Sequence, residues 1–440
     1  MYLLYRILTA AGMLVLAPYF ALRGWQRREP ANAFSERFGI LPRELAKKAA
    51  SDSGAIWIHA VSVGEVLAAR PLLEALKHQF PRRPVFVSTT TETGQRLARE
   101  RLQSADGIFY FPLDWVVPIR KALKSIRPAL VIIIETEIWP NFLREAKRSG
   151  VPVIFANARI SDRSFARFND WKPLIGDFFA ATLHNAELLL AQSPEDAKRL
   201  ADMGAPGDRI EITGNLKYDA EPPEVSPLAT WLKDQITTQE RWPLLAAGSV
   251  VAEEEEAVLA AYDIVQRQWR RALLVLAPRK PNRYDDTARI VSAGGWNLVR
   301  RSSLDFASPL REDADVLLLD SIGELASVYA LADAVFVGGS LVPAGGHNIL
   351  EPAWFSRPPV FGPSMENFQK IAEQFLSARA GIQVSSGTQL GKVWVQLIAD
   401  NAIRERMGRT ARGLSQQNRG ATALTVQRIT AVLNSSGRPL

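Results

Sequence analysis

From residue 55 onward, short and nearly continuous apolar runs alternate with longer helical segments. In the first half the runs are Ile56-Trp57-Ile58-His59, Val85-Phe86-Val87-Ser88, Leu130 to Ile134, Val153-Ile154-Phe155 and Leu188-Leu189-Leu190. Helical stretches such as Val66 to Gln79 and Gly94 to Leu102 lie between them. A strand that is apolar at consecutive positions must be covered on both faces, which is the situation of a parallel sheet with helical crossovers. The segment Tyr218 to Trp242 then carries Pro222, Pro223 and Pro227 among charged residues, with Pro243 at its end, and reads as a connection. The alternation restarts with Leu244 to Ala247, Leu273 to Leu276, Val316 to Leu319 and Ala334 to Val337. A chain of 440 residues is also too long for one ordinary core. The expected class is therefore α/β, with two doubly wound, Rossmann-like domains facing across a cleft. Residues 26–220 and 244–440 form the domains and 221–243 the linker, and ligands are expected beyond the carboxyl ends of the strands.

The N-terminus adds a different element. Leu3 to Leu22 is predominantly apolar, interrupted by Arg6, and about 20 such residues can cross a bilayer. Arg23, Arg27, Arg28, Arg37, Arg43, Lys47 and Lys48 follow. Basic residues on that side place the following chain in the cytoplasm and argue against a cleaved export signal. Tyr2, Tyr5, Tyr19 and Trp25 lie near the two ends, where interfacial aromatics are expected. Residues 1–25 read as a membrane anchor; Gly12 and Pro18 weaken an ideal span and leave a buried core helix as the alternative.

Composition narrows the chemistry. The absence of cysteine removes disulfides and thiolate metal sites, and the four histidines have no metal-ligand spacing. A net charge of +7 suits anionic lipid, a nucleotide phosphate or nucleic acid. No aromatic-interleaved basic motif accompanies it, so nucleic acid ranks last. Neither half carries Gly-x-Gly-x-x-Gly after its first strand, nor a Walker-type Gly-Lys-Ser/Thr, which argues against nicotinamide enzymes and phosphate-loop ATPases. The close acidic triplet Asp313-Ala314-Asp315 precedes a strand and reads as a solvated turn, not a metal site.

Polar loops follow most of the apolar runs. The first ends in His59-Ala60-Val61-Ser62-Val63-Gly64-Glu65. Glu65 can take a proton from an attacking hydroxyl, or simply complement the dipole of the helix it opens. Thr89 to Gly94 is a row of hydroxyls suited to a sugar or to a helix cap. Glu135-Thr136-Glu137-Ile138-Trp139-Pro140-Asn141 brings two carboxylates, an aromatic ring and an amide to a strand end, a set that suits carbohydrate. Arg159 suits a carboxylate or phosphate, and Lys217 closes the first domain. In the second half, Glu253 to Glu256 open a helix and read as macrodipole and solvent complementarity. Arg279 follows a strand as a phosphate candidate, and Asp320 to Leu325 reads as a capped helix start or a close backbone approach at Gly323. Finally Gly338 to Pro352 is glycine-rich and runs from a strand into a helix. Such a loop lets backbone N–H groups meet an anion, with Glu351 placed to accept from sugar hydroxyls; it reads equally as a tight turn capped by Asn348.

Taken together, these motifs resemble the Kdo (3-deoxy-D-manno-octulosonic acid) transferases of lipopolysaccharide synthesis, glycosyltransferase family 30, which have the GT-B fold. The matching runs are HAVSVGE (His59 to Glu65), ETEIWPN (Glu135 to Asn141), TGNLKYD (Thr213 to Asp219), APRKP (Ala277 to Pro281), GEL (Gly323 to Leu325) and GGHNILEP (Gly345 to Pro352). They span the chain in order, and the N-terminal anchor fits as well.

The resemblance implies CMP-Kdo as donor and the lipid A precursor lipid IVA as acceptor, at the cytoplasmic side of the inner membrane, with no cofactor and no metal. By position, Glu65 would be the general base, and Glu135 and Lys217 would stabilise the transition state. Pro278, Arg279, Gly323, Glu324, Leu325, Asn348, Ile349, Leu350 and Glu351 would hold the CMP portion. Expulsion of a phosphate monoester asks for cationic groups, and one base without a covalent intermediate predicts inversion. Two other readings stand beside this one: another GT-B transferase of envelope synthesis, and a membrane-tethered nucleotide-binding protein without turnover.

Overall fold

The computed structural model describes residues 1–7, 9, 12, 32–49 and 54–435. The chain divides into two compact units, Met1–Ala220 with Asn418–Leu440, and Glu221–Gln417.

The first unit holds seven strands: β1 Ala55–His59, β2 Val85–Thr89, β3 Gly107–Tyr110, β4 Pro128–Ile134, β5 Val153–Ala158, β6 Leu188–Ala191 and β7 Ile210–Ile212. They pair in the order β3-β2-β1-β4-β5-β6-β7, all parallel. The apolar runs are continuous because successive side chains enter two separate cores. Val131 and Ile133 of β4 join Trp57, Phe142 and Phe155 on one face, while Leu130, Ile132 and Ile134 join Val66, Leu72 and Leu190 on the other. The chain order reverses between β1 and β4, which lie side by side with His59 opposite Ile133. Loops leaving these two strands therefore open beside one another, the usual location of a ligand crevice in such a sheet.

The second unit repeats the plan with β8 Leu244–Val250, β9 Leu273–Pro278, β10 Leu298–Arg300, β11 Val316–Leu318, β12 Ala334–Val337, β13 Pro359–Phe361 and β14 Ile382–Gln383. Their order is β10-β11-β9-β8-β12-β13-β14, again parallel. Leu245, Ala247 and Leu274 face a core containing Trp394; Leu244, Ala246 and Leu273 face one containing Trp231. Here the reversal lies between β8 and β12.

Two expected boundaries change. Residues 221–243 are not only a linker, because the helix Pro227–Thr238 buries Leu228, Trp231 and Leu232 in the second unit. Residues 418–440, expected in the second domain, belong to the first. The helix Ala421–Ser435 returns there and buries Ile429 and Leu433 beside Leu72 and Leu73, about 2 kcal/mol for each aliphatic side chain removed from water. Asp219 fixes its start by accepting the N–H groups of Gly420 (2.6 Å) and Thr422.

Most of the expected anchor lies outside the described residues. Among the described residues, no helix is long and apolar enough to cross a membrane. Tyr2 and Tyr5, expected at a lipid interface, instead contact Phe178 of the first unit.

Candidate active site

In the first unit, the loops after β1 and β4 bring a carboxylate cluster together. Ser62 caps the helix Val63–Gln79, and its Oγ accepts the Glu65 N–H. Glu65 answers: Oε1 accepts from Ser62 N (3.2 Å) and Ser62 Oγ (2.7 Å), and Oε2 accepts from Val61 N (2.7 Å). This reciprocal pair is a capping box, whereas the sequence suggests for the start of this helix only complementarity to its dipole. Two carboxylate oxygens offer about four acceptor positions, so among the described residues these three bonds leave one, on Oε2. The side chain is 5% exposed. Burial raises its pKa from 4.5 to about 7; bonds from Ser62 and Val61 oppose the rise, while the carboxylates of Glu135 and Glu137 add to it. Glu65 thus sits where a general base at neutral pH should sit.

Glu135 begins the loop after β4 in the left-handed region, φ 59°. Its Oε1 lies 3.4 Å from Lys217 Nζ. Lys217 is set by Asn215, whose side chain caps the short helical turn Leu216–Asp219, and by Asn157, whose Oδ1 accepts the Leu216 N–H at 3.0 Å. Burial and the neighbouring Glu135 raise the Glu137 carboxyl as well. So Glu65, Glu135 and Lys217, distant in sequence, come together beyond the ends of β1 and β4.

Other polar and aromatic residues of these loops make contacts within the unit. Asn141 is 1% exposed, with Nδ2 donating to Asp114 O and Oδ1 accepting from Arg6. Trp139 packs on Phe111. Thr91 caps a helix, accepting from Gly94 N, and Thr89 donates to Gln95. His59 is buried and stacked on Phe111 at 3.8 Å; burial lowers its pKa to about 3 and keeps it neutral.

In the second unit the donor candidates surround the switch between β8 and β12. Pro278 ends β9, and Arg279 N donates to Val250 O at 2.8 Å. Arg279 lies near His347, whose pKa is lowered to about 3, chiefly by burial and further by that guanidinium. Glu324 is held by Arg301 in a two-pronged pair (2.9 and 3.1 Å) and by Ser321, which keeps Gly323 and Leu325 in place. Asn348 Oδ1 accepts the Leu350 N–H at 3.1 Å, and its Nδ2 donates to Glu351. Ile349 and Leu350 are fully buried.

The glycine-rich loop departs from expectation. Its N–H groups were expected to meet a ligand's anion, but the anion in the structure is Glu254. This carboxylate, 0% exposed, accepts from the N–H groups of Gly339 (2.6 Å), Ser340 (2.8 Å), Leu341 (2.8 Å) and Val251 (3.1 Å). Gly339 at φ 66° lets the chain turn beneath His347, where a Cβ would stand 2.7 Å from the ring. The helix that follows, Leu350–Trp354, is too short to contribute much dipole. Glu255 is likewise buried, accepting from Arg283 (2.7 Å) and Thr287 (3.3 Å). The reading of Glu253 to Glu256 as a solvated run fails for both. Spacing was the available signal: 254 and 255 stand four residues before Val258 and Leu259, on the buried face of the helix.

Residues 32–220 match the family described as 3-deoxy-D-manno-octulosonic-acid transferase (kdotransferase). The 3-deoxy-D-manno-octulosonic acid transferase of Haemophilus influenzae is 32% identical over 373 residues, covering 83% of this chain and 84% of that protein. The Bordetella pertussis protein of the same name is 32% identical over 434 residues, covering 93% and 95%. The chain belongs to the Kdo transferase family. It is an enzyme, a glycosyltransferase. The UDP-GlcNAc 2-epimerase of Neisseria meningitidis shares the fold at 13% identity, with a TM-score of 0.54 over 86% of this chain and 100% of that one. Two parallel-sheet α/β units of the GT-B type are thus the scaffold on which this Kdo transferase carries its carboxylate cluster.

Proposed function

We propose that the chain transfers Kdo from CMP-Kdo to a hydroxyl of the lipid A precursor lipid IVA, with inversion, at the cytoplasmic side of the inner membrane. The observation that carries this reading is the state of Glu65: buried, held by its own loop, raised to about 7 and left with one open acceptor position. Glu65 takes the proton as the acceptor oxygen bonds to the anomeric carbon of Kdo. The bond from that carbon to the CMP phosphate oxygen breaks, and CMP leaves with the electron pair. Lys217 and Glu135 stabilise charge in the transition state. Arg279 and the backbone of Gly323 to Leu325 and Asn348 to Glu351 hold the CMP portion, with Pro278 shaping the loop. Cationic groups meet the leaving phosphate, so the reading asks for no metal.

The test is incubation with CMP-Kdo and lipid IVA, followed by mass analysis of the lipid and measurement of released CMP. The expected product is lipid IVA enlarged by Kdo, with one CMP for each residue added. A protein that binds CMP-Kdo and releases no CMP would overturn the reading in favour of nucleotide binding alone.

A further inference from the structure

Arg159 follows β5 directly, and the chemistry proposed above makes no use of it. The strand is irregular just before it. From Phe155 to Ala158 β5 holds one residue more than the paired stretch of β6, Leu189 to Ala191, and Asn157 lies in the left-handed region at φ 59°. A bulge of this kind re-aims the side chains beside it. The backbone is then fixed at each step. Gln192 Nε2 donates to Asn157 O at 3.0 Å, and Gln192 N donates to Ala158 O at 3.0 Å. Thr136 Oγ1 accepts the Arg159 N–H (2.9 Å) and donates to Arg159 O (2.7 Å). Ile160 N donates to Asp196 Oδ1 at 3.0 Å. Thr136 stands between Glu135 and Glu137, and Asn157 holds the turn that carries Lys217. Arg159 is thus mounted on the carboxylate cluster from two sides.

Its charge is uncommitted. The side chain is half-buried, and among the described residues no carboxylate, carbonyl or aromatic ring receives the guanidinium. The neighbouring cations have partners: Lys217 has Glu135, and Arg199 has Ile160 O, Asp162 and Glu195. Nor does Arg159 act on the carboxyls nearby, since the charges that move Glu65 and Glu137 are those of other glutamates. Glu65, Glu135 and Glu137, set against one lysine, repel an anionic substrate. A guanidinium on a fixed backbone, with no anion of its own, is preorganised for an oxyanion that arrives with the substrate.

We propose that Arg159 binds a substrate oxyanion, either a phosphate on the acceptor sugar or the carboxylate of Kdo, through a two-pronged charge-assisted pair. The proposal rests on the transfer reading above and adds to it a residue that reads substrate charge in the first unit.

Arg159→Gln removes the charge and keeps the backbone bonds to Thr136, while Arg159→Lys keeps the charge and loses the fork. In full-length protein, Arg159→Gln is expected to raise KM for one substrate roughly 10- to 100-fold, leaving kcat and the other KM near the parent values, and Arg159→Lys to restore part of the loss. The substrate whose KM moves identifies the oxyanion: lipid IVA for a phosphate, CMP-Kdo for the carboxylate. Lipid IVA stripped of phosphate supplies a second arm. With a phosphate partner, stripping costs the parent the same factor and costs Arg159→Gln nothing more; with the carboxylate, stripping costs both proteins alike. Unchanged KM for both substrates, or a lowered kcat alone, would overturn the proposal. Titration of each substrate in the absence of the other keeps this apart from the transfer reading. Weaker binding by Arg159→Gln supports the proposal even where the parent releases no CMP, and equal binding of both substrates overturns it.

Discussion

Lys217 Nζ lies 3.4 Å from Glu135 Oε1, with the two side chains only 10% and 20% exposed. Glu135 and Glu137 both push the Glu65 carboxyl upward, so the ammonium of Lys217 offsets part of the charge that keeps Glu65 poised. The pair joins the loop after β4 to the turn Leu216–Asp219, whose position depends in turn on Asn157. The proposed base and its electrostatic setting thus come from distant parts of one sheet.

The setting has a pH signature. Glu65 must be ionised to accept a proton, so kcat/KM should fall as pH drops through about 7. Glu135→Gln removes a negative neighbour and should move this limb to lower pH. Lys217→Met leaves Glu135 unbalanced and should move it to higher pH. Initial-rate profiles of the three proteins check the signs, and identical limbs would remove Glu135 and Lys217 from the electrostatics of Glu65.

Stability should carry the same imprint. A carboxyl at about 7 in the fold, against an ordinary 4.5, holds its proton more tightly folded than unfolded. Ionisation therefore opposes folding increasingly from pH 4.5 to 7, and fully above that. The Tm of Glu65→Gln relative to the parent should rise across this interval. Calorimetry at several pH values tests it, and a flat difference would contradict the burial argument.

Glu254 is expected to be a positioning residue of the second unit. Glu254→Ala orphans the N–H groups of Gly339, Ser340 and Leu341 and should cost about 3 kcal/mol. Glu254→Gln keeps an acceptor and should fold, with KM for the donor raised and KM for the acceptor unchanged. Urea unfolding and steady-state kinetics separate the two effects.

Much of the scaffold was legible because β1, β4, β8 and β12 are apolar at nearly every position. Strands β10, β13 and β14 were not: all three residues of β10 are partly exposed, β13 opens on Pro359, and β14 has two residues. Glu65 could be located, yet its two roles could not be separated, because the capping box and the crevice use the same carboxylate. The return of the C-terminal helix was illegible for a different reason. The contact that fixes it, Asp219 with Gly420, spans 201 positions, and nothing local in either segment announces it. Tyr5 and Asp114, 109 positions apart, are a second case.

That return contact makes its own forecast. Asp219→Ala removes the acceptor at the start of the helix Ala421–Ser435 and should cost about 1 kcal/mol, the scale of a lost cap. Hydrogen exchange should rise in that helix and in Val63–Gln79 beneath it, while the second unit stays protected. Equal loss of protection in both units would contradict the division described here.

The central claim is that Glu65 removes the acceptor's proton, and single-turnover Kdo transfer by Glu65→Gln with CMP-Kdo prebound tests it most directly. The account predicts a rate lower by roughly 10²–10⁴-fold, with affinity for CMP-Kdo unchanged. Transfer at the parent rate, with the same donor affinity, would contradict it.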